Sequence, residues 1–181
     1  MKIQSGILFL LCLFMTGCTS SKYVYHLEPT PLRKGNEVFE LKELQVNLTL
    51  GHGALEGDTG YANQETLSAQ FKDALNSELK KHGMLPQKGQ TGKNVSMIIN
   101  FERRFNYGGK SLNTPLVSDA VKIFDENKVL LASYSNGRYS PNLGMVENLK
   151  IATFQKTSED ELKDVALIAS ILITDLKNLG K

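Results

Sequence analysis

The 181-residue chain has no tryptophan, three histidines and two cysteines, and its 21 basic side chains nearly balance its 19 acidic ones. Each scarcity excludes something. Cys12 and Cys18 both fall in the first 18 residues, so residues 19–181 carry no disulfide, no free thiol and no cysteine ligand for a metal. His26, His52 and His82 stand at no metal-ligand spacing. No metal or cofactor is expected. The charge balance lacks the concentrated basic stripe of a nucleic-acid binder, so no nucleic-acid partner is expected. Long apolar runs are also missing: the longest, Ile7 to Met15, is about half of the roughly 20 residues that a membrane span needs.

That short run has a setting of its own. Lys2 precedes it, and Met15-Thr16-Gly17-Cys18 closes it with two small residues before the cysteine. The stretch resembles the lipobox of bacterial lipoproteins, with Met15 where leucine is more usual. The resemblance implies cleavage after Gly17 and lipidation of Cys18, so that the mature chain hangs from a membrane by its first residue. Thr19, rather than aspartate, follows the cysteine. In a double-membraned bacterium that implies sorting to the outer membrane, facing the periplasm. On this reading, residues 1–17 are a signal peptide, 18–37 a lipid-anchored tether stiffened by Pro29 and Pro31, and 38–181 a single domain. Loss of Lys2 with the leader leaves 20 basic against 19 acidic side chains in a mature chain of 164 residues, enough for one core.

Periodicity outlines that domain. Tyr23, Tyr25 and Leu27 alternate and could add an edge strand to the tether. Leu44, Val46, Leu48 and Leu50 share one face of a strand, and Val38 to Leu41 leads in with a break of parity. A glycine-rich loop, 51–60, follows. Leu67, Phe71, Leu75 and Leu79 then repeat every fourth residue, which predicts a helix from about Gln64 to His82, capped by Asn63 and stopped by Gly83 and Pro86. Val95, Met97, Ile99 and Phe101 predict a second strand, with Phe105 and Tyr107 continuing its parity. Residues 116–124 and 129–135 predict two more, joined by a turn at 125–128 and ended by Asn136-Gly137. Residues 139–157 mix helix and strand signals. Ser158 and Glu161 read as a capping box that opens a last helix, with a stripe of Leu162, Val165, Ala166, Ala169, Ile173 and Leu176. The expected fold is α+β: one mostly antiparallel sheet of four to five strands, with two helices on one face. Small envelope lipoproteins of Gram-negative bacteria are similar in that general architecture.

Catalytic motifs fail on inspection. Gly109-Lys110-Ser111 lacks the phosphate loop's upstream glycine, since Arg104 stands there, and Pro115 forbids the helix that should follow. Gly92-Lys93 fails on spacing and has Asn94 where a hydroxyl should hold magnesium. His52 near Asp58 has no nucleophile elbow around it. What remains is a gathering of arginines and aromatics at strand ends. Arg103, Arg104, Phe105 and Tyr107 follow the second strand, and Arg138 and Tyr139 follow the last. Such residues are enriched at binding hot spots. Strand directions should bring them to one end of the sheet together with His52, as a partner-binding surface. The leading expectation is a non-enzymatic accessory or assembly factor that binds another envelope protein. A small-molecule or lipid carrier, and an envelope hydrolase, stay open beside it.

Overall fold

A computed structural model of the chain describes residues 23–29, 31–54, 60–106, 108–109 and 111–180. Cys18, Tyr107 and the middle of the glycine-rich loop lie outside the described residues. The described residues form an α+β fold with five strands and three helices. In chain order these are β1 (Tyr23–Leu27), β2 (Phe39–Leu50), α1 (Gln64–Lys81), β3 (Lys93–Arg103), β4 (Leu116–Phe124), β5 (Leu130–Tyr139), α2 (Gly144–Ala152) and α3 (Ser158–Lys177). The sheet order is β1-β5-β4-β3-β2, antiparallel throughout except for the β2/β3 pair, which a helical crossover joins and which is therefore parallel.

The predicted parity break in β2 is a register shift between Leu41 and Glu43, after which Val46 turns into the core. β3 alternates cleanly, burying Val95, Met97, Ile99 and Phe101 against the helices and leaving Ile98 and Asn100 on the other face. α1 buries the four residues of its stripe and no others. Asn63 Oδ1 accepts from Thr66 N at 2.8 Å, and Gly83 takes the left-handed conformation (φ +67°) that ends the helix. Phe71 meets Phe101 edge to face, with centroids 5.8 Å apart.

Five expectations need correction. β5 does not stop at Asn136-Gly137 but continues to Tyr139: the pair marks a bulge, because Asp119 faces Asn136 while Val117 faces Tyr139. β3 ends at Arg103, and Phe105 belongs to an isolated bridge with Leu112. The stretch 139–157 contains a third helix, α2. The cap of α3 sits one residue earlier than expected, where Thr157 N donates to Asp160 Oδ2 at 3.0 Å, and Leu162 and Ala166 fall outside the buried stripe. The stretch expected as a tether, 18–37, is not free of the domain over its described residues. β1 pairs with β5, Leu32 is buried, and Gly35 N donates to Lys177 O, so residues 23–37 belong to the domain. Apolar Leu32 and Tyr25 gain more from the core than a free arm would give them.

α1 and α3 cover one face of the sheet. The edge of β2 is partly closed by a side chain: Gln64 Oε1 accepts from Leu48 N at 2.8 Å and its Nε2 donates to Val46 O at 2.6 Å. One amide thus satisfies two strand groups that a neighbouring strand would otherwise take.

Candidate functional site

β2, β3 and β5 all finish at the same end of the sheet, as their directions require. Gly51 N donates to Arg103 O at 2.8 Å and Phe105 N to His52 O at 2.9 Å, which ties the glycine loop to the exit of β3. The approach is close: a Cβ on Gly51 would lie 2.5 Å from Glu102 Oε1. His52 is exposed there. Of the sequence-predicted residues, His52, Arg103, Arg104, Phe105, Arg138 and Tyr139 do converge on this end, but the pleat and the β5 bulge divide those on the strands between two faces.

Arg103 points under the helices and is 5 % exposed. Its Nε and Nη2 donate to the two carboxylate oxygens of Glu161, at 2.5 and 2.9 Å, and Nη2 also reaches Ala62 O at 2.6 Å. Its guanidinium carbon stands 5.5 Å from the centre of the Tyr61 ring. Such a bidentate buried pair is a structural clamp between β3 and α3, so Arg103 is not available to a partner. Phe105, packed edge to face on Tyr61 at 5.2 Å and 2 % exposed, is not available either. Tyr139 turns the same way. Burial, then Asp119 beside its hydroxyl, pushes the pKa of the phenol far above its usual value.

The carboxylate beside that phenol is one the sequence did not single out. Asp119, on the helix-facing side of β4, is 3 % exposed, and burial raises its pKa to about 6 against the hydrogen bonds that Asn136 Nδ2 gives both its oxygens, at 3.2 and 3.0 Å. Asp175 of α3 adds like charge. A second buried pair, Lys156 with Asp164 at 2.6 Å, also went unmarked, since a lysine after an illegible stretch gives no burial signal. Burial again lifts the Asp164 carboxyl to about 6.

Of the remaining candidates, Arg138 lies on the sheet face opposite α1 and α3. The bulge sends Arg138 there, where its exposed guanidinium pairs with Glu102 of β3. Next to this pair runs a row of amides and hydroxyls across three strands. Gln45 Nε2 donates to Asn47 Oδ1 (3.0 Å), Asn47 Nδ2 to Asn100 Oδ1 (2.8 Å) and Asn100 Nδ2 to Ser118 Oγ (3.1 Å). A depression of about 230 Å³ opens among Thr49, Asn100, Glu102, Leu116, Ser118 and Arg138. Arg104, half-buried, has no ion-pair partner among the described residues. Of the predicted set, then, His52 and Arg138 are exposed, Arg104 is half-buried, and Arg103, Phe105 and Tyr139 serve the interior. Among the described residues, no three His, Cys, Asp or Glu side chains are grouped to hold a metal. Alternating polar residues at 45, 47, 100 and 118 were the signal for this row, legible only once strand order is known.

No protein-family model matches the chain, nor does any curated protein. Among solved structures, it is similar to a PelC dodecamer variant from Paraburkholderia phytofirmans, at 13 % identity over 80 % of this chain and 93 % of that one, with a TM-score of 0.34. A PDZ domain protein from Parabacteroides distasonis aligns at 9 % identity over 74 % of this chain and 34 % of that one, with a TM-score of 0.33. Similarity at that level transfers neither partner nor assembly to this chain.

Proposed function

We propose that the protein is a lipid-anchored envelope lipoprotein, held by Cys18 at the outer membrane and facing the periplasm. There it works as a non-enzymatic accessory that docks another envelope protein on the open face of its sheet. The observation that carries the docking half is the polar row Gln45-Asn47-Asn100-Ser118, ending in the Glu102–Arg138 pair on the sheet face opposite α1 and α3. A face of this kind is broad, pre-ordered by its own hydrogen bonds and polar, which suits a protein partner more than a small ligand. The packing behind it supports the same reading over the carrier: Leu67, Phe71, Leu75, Ile99 and Val121, all fully buried, fill the helix–sheet interface where a carrier would hold its cargo. Affinity capture from membranes with the native lipidated protein tests this, run beside Arg138→Glu and Ser118→Arg. One defined envelope protein should be enriched by the wild type and lost from both variants, whose thermal unfolding stays unchanged. Equal capture by all three would show that the partner sits elsewhere.

A further inference from the structure

α2 is amphipathic in the reverse of the usual sense. Its charged residues and Ile151 face the protein, while Asn148 is exposed: Lys150 Nζ bonds Asp160 Oδ1 at 2.6 Å, and Lys163 of α3 lies 3.4 Å from Glu147. Three of its apolar residues face outward, with Met145 88 %, Val146 68 % and Leu149 63 % exposed. Phe154, just past the helix, is 60 % exposed and held in the left-handed region at φ +57°, uncommon for a side chain of that size. α2 has no buried residue at all. A surface helix ordinarily turns its apolar stripe inward, so an outward stripe calls for an apolar surface outside the protein.

Strand direction says which surface. Tyr23 pairs with Asn136, and β1 runs antiparallel to β5, so the chain enters the sheet from the end where β5 finishes. α2 lies at that same end: it follows Tyr139 by four residues, and Asn106, just beyond β3, donates from Nδ2 to Ile151 O at 2.9 Å. Only four residues separate Cys18 from Tyr23, so five chain steps join the two. Fully extended, they reach about 17 Å. The end of β5 lies three residues past Asn136, which already takes up about 10 Å of that reach. Cys18 can therefore reach no more than about 7 Å beyond the end of the sheet, less than the thickness of one helix.

Resting on the Cys18 anchor proposed above, we infer that α2 and Phe154 form a second membrane contact, with Met145, Val146, Leu149 and Phe154 seated in the lipid headgroup region. The helix lies on the bilayer rather than crossing it, since among the described residues no helix is long and apolar enough to span. Its neighbouring lysines are already engaged by Glu147 and Asp160, so contact depends on apolar side chains and does not require anionic lipid. A lipid on one terminal residue leaves the domain free to rotate, and this second contact fixes its orientation, with the open sheet face upright beside the bilayer.

The absence of tryptophan from the chain makes the test direct. The lipidated protein carrying Leu149→Trp, and separately Met145→Trp, is placed in phosphatidylcholine vesicles with brominated acyl chains. Lys88→Trp, in the exposed turn at the opposite end of the sheet, is the control. Both α2 reporters should shift to the blue and lose most of their emission, while the control stays bright. Protein that floats with the vesicles while its α2 reporters remain unquenched overturns the membrane contact and leaves the anchor standing. Reporters already blue-shifted in the unlipidated Cys18→Ala protein without vesicles would place a second copy of the chain on α2, and also overturn it. Failure to float at all removes the anchor, and this inference with it.

Discussion

Asp119 is a carboxylate that the folded protein holds at a cost. It is buried on the helix side of β4, with Asn136 donating to both oxygens and Asp175 adding like charge. Its pKa stands at about 6 against an ordinary 3.8. A raised carboxyl pKa means that the folded state binds a proton the unfolded chain has already released. Below about pH 3.8 both states are protonated and the residue costs nothing. Between the two values stability falls as pH rises, and above about 6 the full cost is present. At about 1.4 kcal/mol per tenfold change in proton affinity, that cost is about 3 kcal/mol. Asp119→Asn removes the charge and keeps an acceptor for Asn136 Nδ2. Its new amide nitrogen replaces an oxygen that accepts from Asn136 Nδ2, so Asn136 must turn its amide to present Oδ1, which has no partner among the described residues. The variant should therefore be more stable than wild type at about pH 7.5, by up to about 3 kcal/mol, and nearly equal to it at about pH 4. For a domain of this size that is about 6–12 °C in Tm. Urea unfolding of both proteins across this range measures it. A variant less stable at every pH, or a difference that does not change with pH, would refute the account of Asp119.

The Arg103–Glu161 clamp gives a second expectation. Arg103→Ala should cost about 3–5 kcal/mol by leaving Glu161 buried and unpaired, and Arg103→Met with Glu161→Leu should recover most of it in chemical denaturation. A single variant with an unshifted midpoint would return Arg103 to the list of partner-binding residues. Phe71→Ala opens a hole between α1 and β3 and should cost about 3–5 kcal/mol; an unmoved melting curve would put α1 on the wrong side of the sheet. Asn63→Ala, which takes the acceptor from Thr66 N, should cost about 1 kcal/mol, read as a small shift in the same melting experiment. Asp164 titrates in the same direction as Asp119, so Asp164→Asn should also lose less stability than wild type as pH rises through about 6, unless the stranded Lys156 dominates, which the paired change Lys156→Met separates.

Much of the fold was legible because its signals are local. The four-residue repeat from Leu67 to Leu79, the alternation from Val95 to Phe101 and the Gly83 stop each need only a few neighbours to be read. The right end of the sheet was legible for a similar reason, since a helical crossover forces β2 and β3 parallel and short turns alternate the rest. What could not be read depends on a single residue of register. The bulge at Gly137–Arg138 reverses which face Arg138 and Tyr139 occupy, and Asn-Gly signals a strand's end as readily as a bulge. Arg103 and Arg104 look alike in sequence, yet the pleat buries one and leaves the other half-buried. Asp119 and Lys156 carry the composition of surface residues, and their burial follows from tertiary partners far along the chain. α2 was illegible because its apolar side faces out, which removes the match between periodicity and burial that makes other helices readable.

The anchor at Cys18 is the claim on which orientation, docking and the second membrane contact all depend. Intact-mass spectrometry of the protein extracted from cell membranes tests it directly. The account predicts a chain beginning at Cys18 whose mass exceeds that of the unmodified 164 residues by a diacylglyceryl group, and whose excess disappears in Cys18→Ala. A chain beginning at any other residue, or an unmodified Cys18, would contradict it.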